Sequence, residues 1–422
     1  MPKIMLFELK KVLARRVALA VNVGALVMLV AVMALNVVQA RDTAGGGATV
    51  LSGPSAIQSA RTRTEDRAGE LTVERILSDV RGYRELVLSR LDAGELLEMS
   101  DSEAYAAART AFSEDEFAEL TDPYWSWLMS PFRGSREEPY QAAVRVTDEE
   151  LSNYYGAVAQ LTQDALDEGQ GGTWEYSPAE RSWWTGLEEG VAEPLSYGWV
   201  GAWGNIVDCV AFLSFAMLAI CVTLTPVFSA ECQEGTDAVL LATRHGRSRL
   251  VAAKAAASLL YATACFALSA TIVCGVSVAF YGAGGFDLPL QALAVATPYP
   301  LSCGQAALLS VRLMYSYTLG VAGLTLLLSS RTRSVLAVVV VDVAVVFLTG
   351  MVPSGGSGLL EHLLRLFPLG FSNFSNLFTS LTSYPIGPVV LDLVGAVALA
   401  WLALAALALP ASVACWRRHQ VA

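Results

Sequence analysis

Lysine is scarce: four occur in 422 residues, at positions 3, 10, 11 and 254, and none of them follows a glycine. The phosphate-cradling loop GxxxxGK[ST] needs a lysine beside a glycine-rich backbone nest, so this chain does not bind and split ATP by that route. HExxH and GxSxG are also missing, and His245, His362 and His419 are scattered. No catalytic constellation is visible. Cysteine is missing from one large region, because Cys209, Cys221, Cys232, Cys265, Cys274, Cys303 and Cys415 all lie after Gly204. An exported region without cysteine forgoes disulfide staples and depends on a packed core. No CxxC or Cys/His spacing points to a metal, and the cysteines read as buried apolar residues.

Charge is low overall. Only 16% of residues are charged and 54% are hydrophobic, a balance that a soluble surface does not sustain. The composition predicts an all-α membrane protein. Six stretches approach the roughly 20 apolar residues that one crossing needs: Val17 to Val38, Ile206 to Phe228, Val251 to Phe280, Ala306 to Ser329, Val335 to Val352 and Val389 to Ala411. The first follows a basic run, as a secretory signal would. Its apolar span is too long for the roughly 7 to 15 residues of a signal core, so it reads as a retained helix.

The cations then set an expected topology. Lys3, Lys10, Lys11, Arg15 and Arg16 place the amino terminus in the cytoplasm. Six crossings put three further segments on that side: the loop with Arg244, Arg247, Arg249 and Lys254, the loop with Arg331 and Arg333, and the end with Arg417 and Arg418. All are basic, as the charge rule requires. Residues 41–204 are expected outside as an acidic, mostly helical domain inserted between the first two spans. From Asp42 to Gly204 there are 30 acidic residues against 12 arginines, a net of −18 in a chain of −11. Acidity is thus a property of one external domain and offers nothing to a nucleic acid. The absence of disulfides suits a bacterial cell envelope and a multi-pass protein of the cell membrane.

Three regions are expected: 1–40, with an interfacial helix and the first span; 41–204, the external domain; and 205–422, with five more spans. Lys3 to Arg16 sets Met5, Leu6, Leu9, Val12 and Leu13 on one helical face, a pattern suited to the headgroup plane. In the domain, AGGGATVLSGPS (44–55) reads as a linker. Leu71, Ile76, Leu77, Val80, Tyr83, Leu86, Val87 and Leu91 form an apolar stripe at helix spacing. Ser113 with Glu116, and Thr147 with Glu150, read as capping boxes. Tyr124, Trp125, Trp184 and most other aromatics read as core; Tyr197, Trp199 and Trp203 read as an interfacial belt before the second span. Residues 353–388 are apolar but too punctuated to cross, and read as short helices dipping into the outer leaflet.

The segment between the second and third spans is the most informative. FSAECQEGTDAVLLATRHGRSRLVAAK (228–254) opens with acids and ends with bases. A short helix within 229–250, held between two spans, is a rigid lever, and its terminal cations suit a helix carboxyl end. The plainer reading is an ordinary positive-inside loop. Its FSAE, EGT, LLATRHGRSRL and AAK pattern resembles the coupling region of ABC-2 type permeases, the membrane subunits of ATP-binding-cassette exporters. ELKKVLARR near the start, GAGGFDLPLQ with the following TPYPLSCGQ, and SSRTRS (329–334) are similar to that family in the same order.

What the resemblance implies is concrete. Such a subunit pairs with a second permease copy or homologue and with two cytoplasmic ABC ATPase subunits, which carry the ATP and Mg, so no cofactor is expected on this chain. Glu231, Glu234, Gly235 and Thr236 would contact or brace the ATPase, with Arg244 and Arg247 in the same coupling segment. The helix before the first span would be the family's interfacial connecting helix. The external domain is larger than in the simplest family members, which leaves the cargo open. The rival reading is a non-transporting transducer that acts through the external domain on an envelope partner.

Charges within spans cost roughly 2.5 to 3.5 kcal/mol at mid-depth. Asp208, Arg312, Asp342 and Asp392 fall in or near spans. Arg312 is expected to pair with Asp208 or Asp392. Asp342, in VLAVVVVDVAVVFL, is expected to be a buried, hydrogen-bonded structural acid rather than a proton relay.

Overall fold

Long apolar runs become long helices, and the computed structural model describes residues 2–42, 50–134, 136–169, 174–243, 245–352, 357–370 and 373–418. The helices of the apolar part are labelled α1 (Pro2–Leu13), α2 (Arg16–Gln39), α3 (Gly201–Gln233), α4 (Asp237–Ala242), α5 (Arg249–Tyr281), α6 (Cys303–Arg331), α7 (Val335–Met351) and α8 (Leu393–Arg418). Strand is confined, among the described residues, to three two-stranded ladders.

α2, α3, α5, α6 and α8 are long and apolar enough to cross a membrane. The sixth expected stretch is helical too, but α7 has 17 residues. At 1.5 Å per residue it spans about 26 Å, a little under a typical hydrocarbon core of about 30 Å. α3 differs from expectation at both ends. It starts at Gly201 and runs past Phe228 to Gln233, so Glu231 belongs to its last turn instead of the loop beyond. Within it, a 3-10 turn at Val210–Phe212 and a break at Thr225 precede Pro226, whose missing N–H interrupts the ladder.

α8 also begins later than its apolar run. Val389–Asp392 pairs antiparallel with Ser383–Ile386, and the helix starts only at Leu393. Gly387, with φ +61, makes the turn, which permits what an L side chain disfavours. Asp392 accepts from the Gly395 amide at 2.8 Å and so closes the first turn of α8. In 353–388 the described residues form a helix at Gly358–Arg365, a π-turn at Ser375–Thr379 and this hairpin.

Two cores hold the chain. One lies between α3, α5, α6 and α8, with Met217, Tyr317, Val321 and Val397 fully buried. The other lies inside the acidic domain, where helix Val73–Leu88 buries Ile76, Val80, Tyr83 and Val87. Tyr83 stacks on Trp125 at 4.0 Å, and both capping boxes at Ser113 and Thr147 form. Leu77, Leu86 and Leu91 of the same stripe pack at its edge. The domain's other end joins the bundle core: Trp184 meets Tyr299 at 5.6 Å, and Trp127 donates to the Gln291 carbonyl at 2.8 Å. The 44–49 part of the expected linker lies outside the described residues.

Candidate functional site

Opposite the domain, the bundle ends in α1, the last turn of α3, α4 and the first turns of α5. α1 keeps Leu6 and Leu13 exposed, as an interfacial helix does, but it turns Glu8 inward with Val12. α3 brings Glu231 to the same place, and α5 brings Lys254 on its second turn. Lys254 donates to Glu231 Oε1 at 2.5 Å and to the Val227 carbonyl at 3.1 Å. Lys11 reaches the same Glu231 oxygen at 2.7 Å, and Glu8 lies 3.5 Å from the Lys254 ammonium. Lys254, Glu231 and Glu8 are 2%, 3% and 5% exposed.

Two acids and Lys254 thus sit in an almost dry site, and the half-exposed Lys11 supplies the second positive charge from its edge. The Phe228 ring lies 5.6 Å from the Lys254 ammonium, and Trp416 of α8 packs on that ring at 5.0 Å. Glu231 Oε2 has no hydrogen-bond partner among the described residues. Charges buried in this way hold a geometry strongly, because removing one partner strands the others. The cluster ties α1, α3 and α5 together at one point.

The loop hangs from that point. The Thr236 amide donates to the Glu231 carbonyl at 3.0 Å. Gly235, with φ +68, turns the chain out of α3, the usual device at a helix carboxyl end. Beyond it, Glu234, Gly235 and Thr236 are exposed. α4 buries Asp237 and Leu241 and leaves Val239 at 70% exposure. A Cβ on Gly246 would come within 1.8 Å of the Leu240 carbonyl oxygen, so only glycine fits where the chain folds back. Arg247 donates to the Arg417 carbonyl at 3.0 Å, linking the loop to α8. Arg244 lies outside the described residues.

The sequence-predicted residues thus divide. Glu231 faces inward as the anchor, while Glu234, Gly235 and Thr236 form an outward surface with Val239. Sequence reasoning missed Lys11 and Lys254 as Glu231's partners, and Glu8 as the second acid on Lys254. One signal was present: Lys254 is followed by an apolar run, and an ionisable residue in a span implies a partner.

The two remaining charged residues of the apolar helices behave differently. Asp342 on α7 is 1% exposed and lies 3.0 Å from Thr325 Oγ1 on α6. That hydroxyl is also 2.9 Å from the Val321 carbonyl. It has one proton for two acceptors, so either the hydroxyl donates to the carboxylate or the acid donates to the hydroxyl. Arg312 is exposed on α6, and among the described residues it forms no ion pair with Asp208 or Asp392. Asp208 instead accepts from the Phe374 amide, and Asp392 accepts from Tyr299 and Gly395. The expected pairing fails because backbone amides and a tyrosine already satisfy both acids. No group of acids, cysteines and histidines among the described residues is arranged to hold a metal.

Several membrane-length helices around one core define a multi-pass membrane protein. The particular family follows from the match to the model for ABC-2 family transporter proteins over residues 26–389, and the chain belongs to that family of membrane transport components. No curated protein and no solved structure is similar enough to match.

Proposed function

We propose that this chain is the permease subunit of an ATP-binding-cassette exporter, driven by separate cytoplasmic ATPase subunits that dock on the loop from Glu234 to Thr243. A second permease, a copy or a homologue, completes the path. In this reading α1, α4 and both termini are cytoplasmic, and the acidic domain is external. Six crossings, α7 included, keep the basic segments on one side.

The observation that carries the reading is the buried cluster at Glu231. A force applied to the exposed loop reaches Glu231 through its carbonyl bond to Thr236, and the cluster passes it to α1 and α5 together. A loose loop would absorb the same push. The exposed Val239 beside Glu234 gives a partner an apolar contact with a charged rim, the composition of an interface centre and its edge.

The test is co-purification from mild detergent. Glu234→Ala with Val239→Asp should remove the ATPase subunits and leave the permease folded. Retention of the ATPase by that variant would refute the docking surface. A single cysteine at position 239, in a cysteine-free background, should resist impermeant maleimide in intact cells. Labelling there would reverse the orientation.

A further inference from the structure

An open groove runs between the start of α5 and the end of α8. Ala252, Ala255 and Leu259 line one wall, Leu409, Pro410 and Val413 the other, and the space measures about 530 Å³. That falls within the roughly 300 to 1,000 Å³ typical of ligand sites. The alanines keep the α5 wall low. Pro410, inside α8, lacks an N–H and crowds the carbonyl one turn earlier, so the helices do not close over each other there.

The mouth is cationic. Arg417 and Arg418 border the groove from the last turn of α8 and are exposed. Arg247 adds a third guanidinium nearby through its bond to the Arg417 carbonyl. α5 begins beside this mouth at Arg249 with no side-chain cap, and the amino end of a long helix favours an anion. None of the groove-lining residues is acidic.

We propose that this groove binds one anionic phospholipid, with an acyl chain between α5 and α8 and the phosphate on Arg417 and Arg418. From Leu409 to Arg418 the groove follows α8 for about 14 Å, which matches the depth from headgroup to upper acyl chain. A soluble anion would use the arginines and leave the apolar walls wet. A neutral lipid would fill the walls and leave two guanidinium groups without a counter-charge. Planar guanidinium forks suit phosphate oxygens. The site does not depend on which ATPase drives the chain.

Native mass spectrometry of the full chain in detergent, with added dioleoyl phosphatidylglycerol or dioleoyl phosphatidylcholine, tests the proposal. The anionic lipid should be retained in preference, and each of R417Q and R418Q should weaken it by roughly fivefold, the effect expected of one basic residue near an anionic headgroup. The double variant should lose the preference. Ala414→Trp, filling the groove from an exposed position, should lower retention of both lipids about tenfold; Ala414→Phe serves if the tryptophan variant fails to fold. An unchanged preference in the double arginine variant would overturn the proposal. So would full retention in both groove-filled variants, which would mean a headgroup patch without a groove. Displacement of the lipid by glycerol 3-phosphate would identify a soluble anion instead. A changed oligomeric state in Ala414→Trp with lipid retained would place a second copy in the groove.

Discussion

Lys254 has two carboxylates in reach and almost no water, so its removal strands negative charge beside Phe228. Lys254→Met should destabilise the protein by about 3 to 5 kcal/mol, the usual cost of breaking a buried pair, read as a lower melting temperature in detergent. Lys254→Met with Glu231→Met should recover at least half of that loss, since the remaining Glu8 and Lys11 still leave one charge of each sign. A double variant no better than the single would show that the cluster is not a charge-balanced unit. Asp342 is a different case. An amide at that position can donate to Thr325, so Asp342→Asn should leave both the melting temperature and the ATPase activity of the reconstituted complex unchanged. Loss of activity at unchanged stability would instead assign the acid a proton-handling role. Glu231 shows why sequence reading stops short at this scale. Its partners lie 220 and 23 positions away, and no local pattern encodes which lysine arrives.

Elements were more legible than pairings. Apolar length alone located α2, α5 and α6, because burying or immersing about 20 apolar residues leaves few alternatives to a helix. The domain stripe and its capping boxes were readable for the same local reason, since i, i+3 and i+4 spacing is a property of one segment. The start of α8 was not, because Val389, Val390 and Leu391 are apolar in either conformation and the turn at Gly387 decides for strand. The end of α3 was missed because Glu231 looks like a loop residue until Lys254 neutralises it. The loop's own geometry is testable here. Gly246→Ala should force the chain away from the Leu240 carbonyl, abolish ATPase co-purification and shift the bundle's melting temperature by only a few degrees. Unimpaired co-purification would mean that the fold-back at Gly246 is not needed for docking.

At the scale of the whole molecule, the acidic domain and the bundle meet at a titratable joint. Trp174 stacks on His362 at 3.8 Å, and the Tyr384 hydroxyl donates to the His362 carbonyl at 2.7 Å. Burial holds the His362 imidazole below its ordinary value. The unfolded form therefore takes up a proton first as pH falls, so the joint is fully stable above about pH 6.5 and weakens below it. Melting temperature should drop between pH 7.5 and 5.5, and His362→Asn should remove part of that drop. An identical pH dependence in the variant would locate the sensitivity elsewhere. The family and the helical architecture were legible at this scale; the seating of the domain on residues 282–302 and the hairpin was not, because it depends on contacts such as Trp127 with Gln291 that join distant segments.

The same scarcity of lysine makes the molecule its own compass. Region 41–204 offers no ε-amine to any reagent, while Lys3, Lys10 and Lys11 crowd one short helix and Lys254 is sealed beneath it. With the amino terminus inside, as proposed, an impermeant succinimidyl ester applied to whole cells should leave Lys3, Lys10 and Lys11 unmodified and react with them once the membrane is opened, while the buried Lys254 stays unmodified in both cases, so that a single acylation pattern tells which way the chain is threaded.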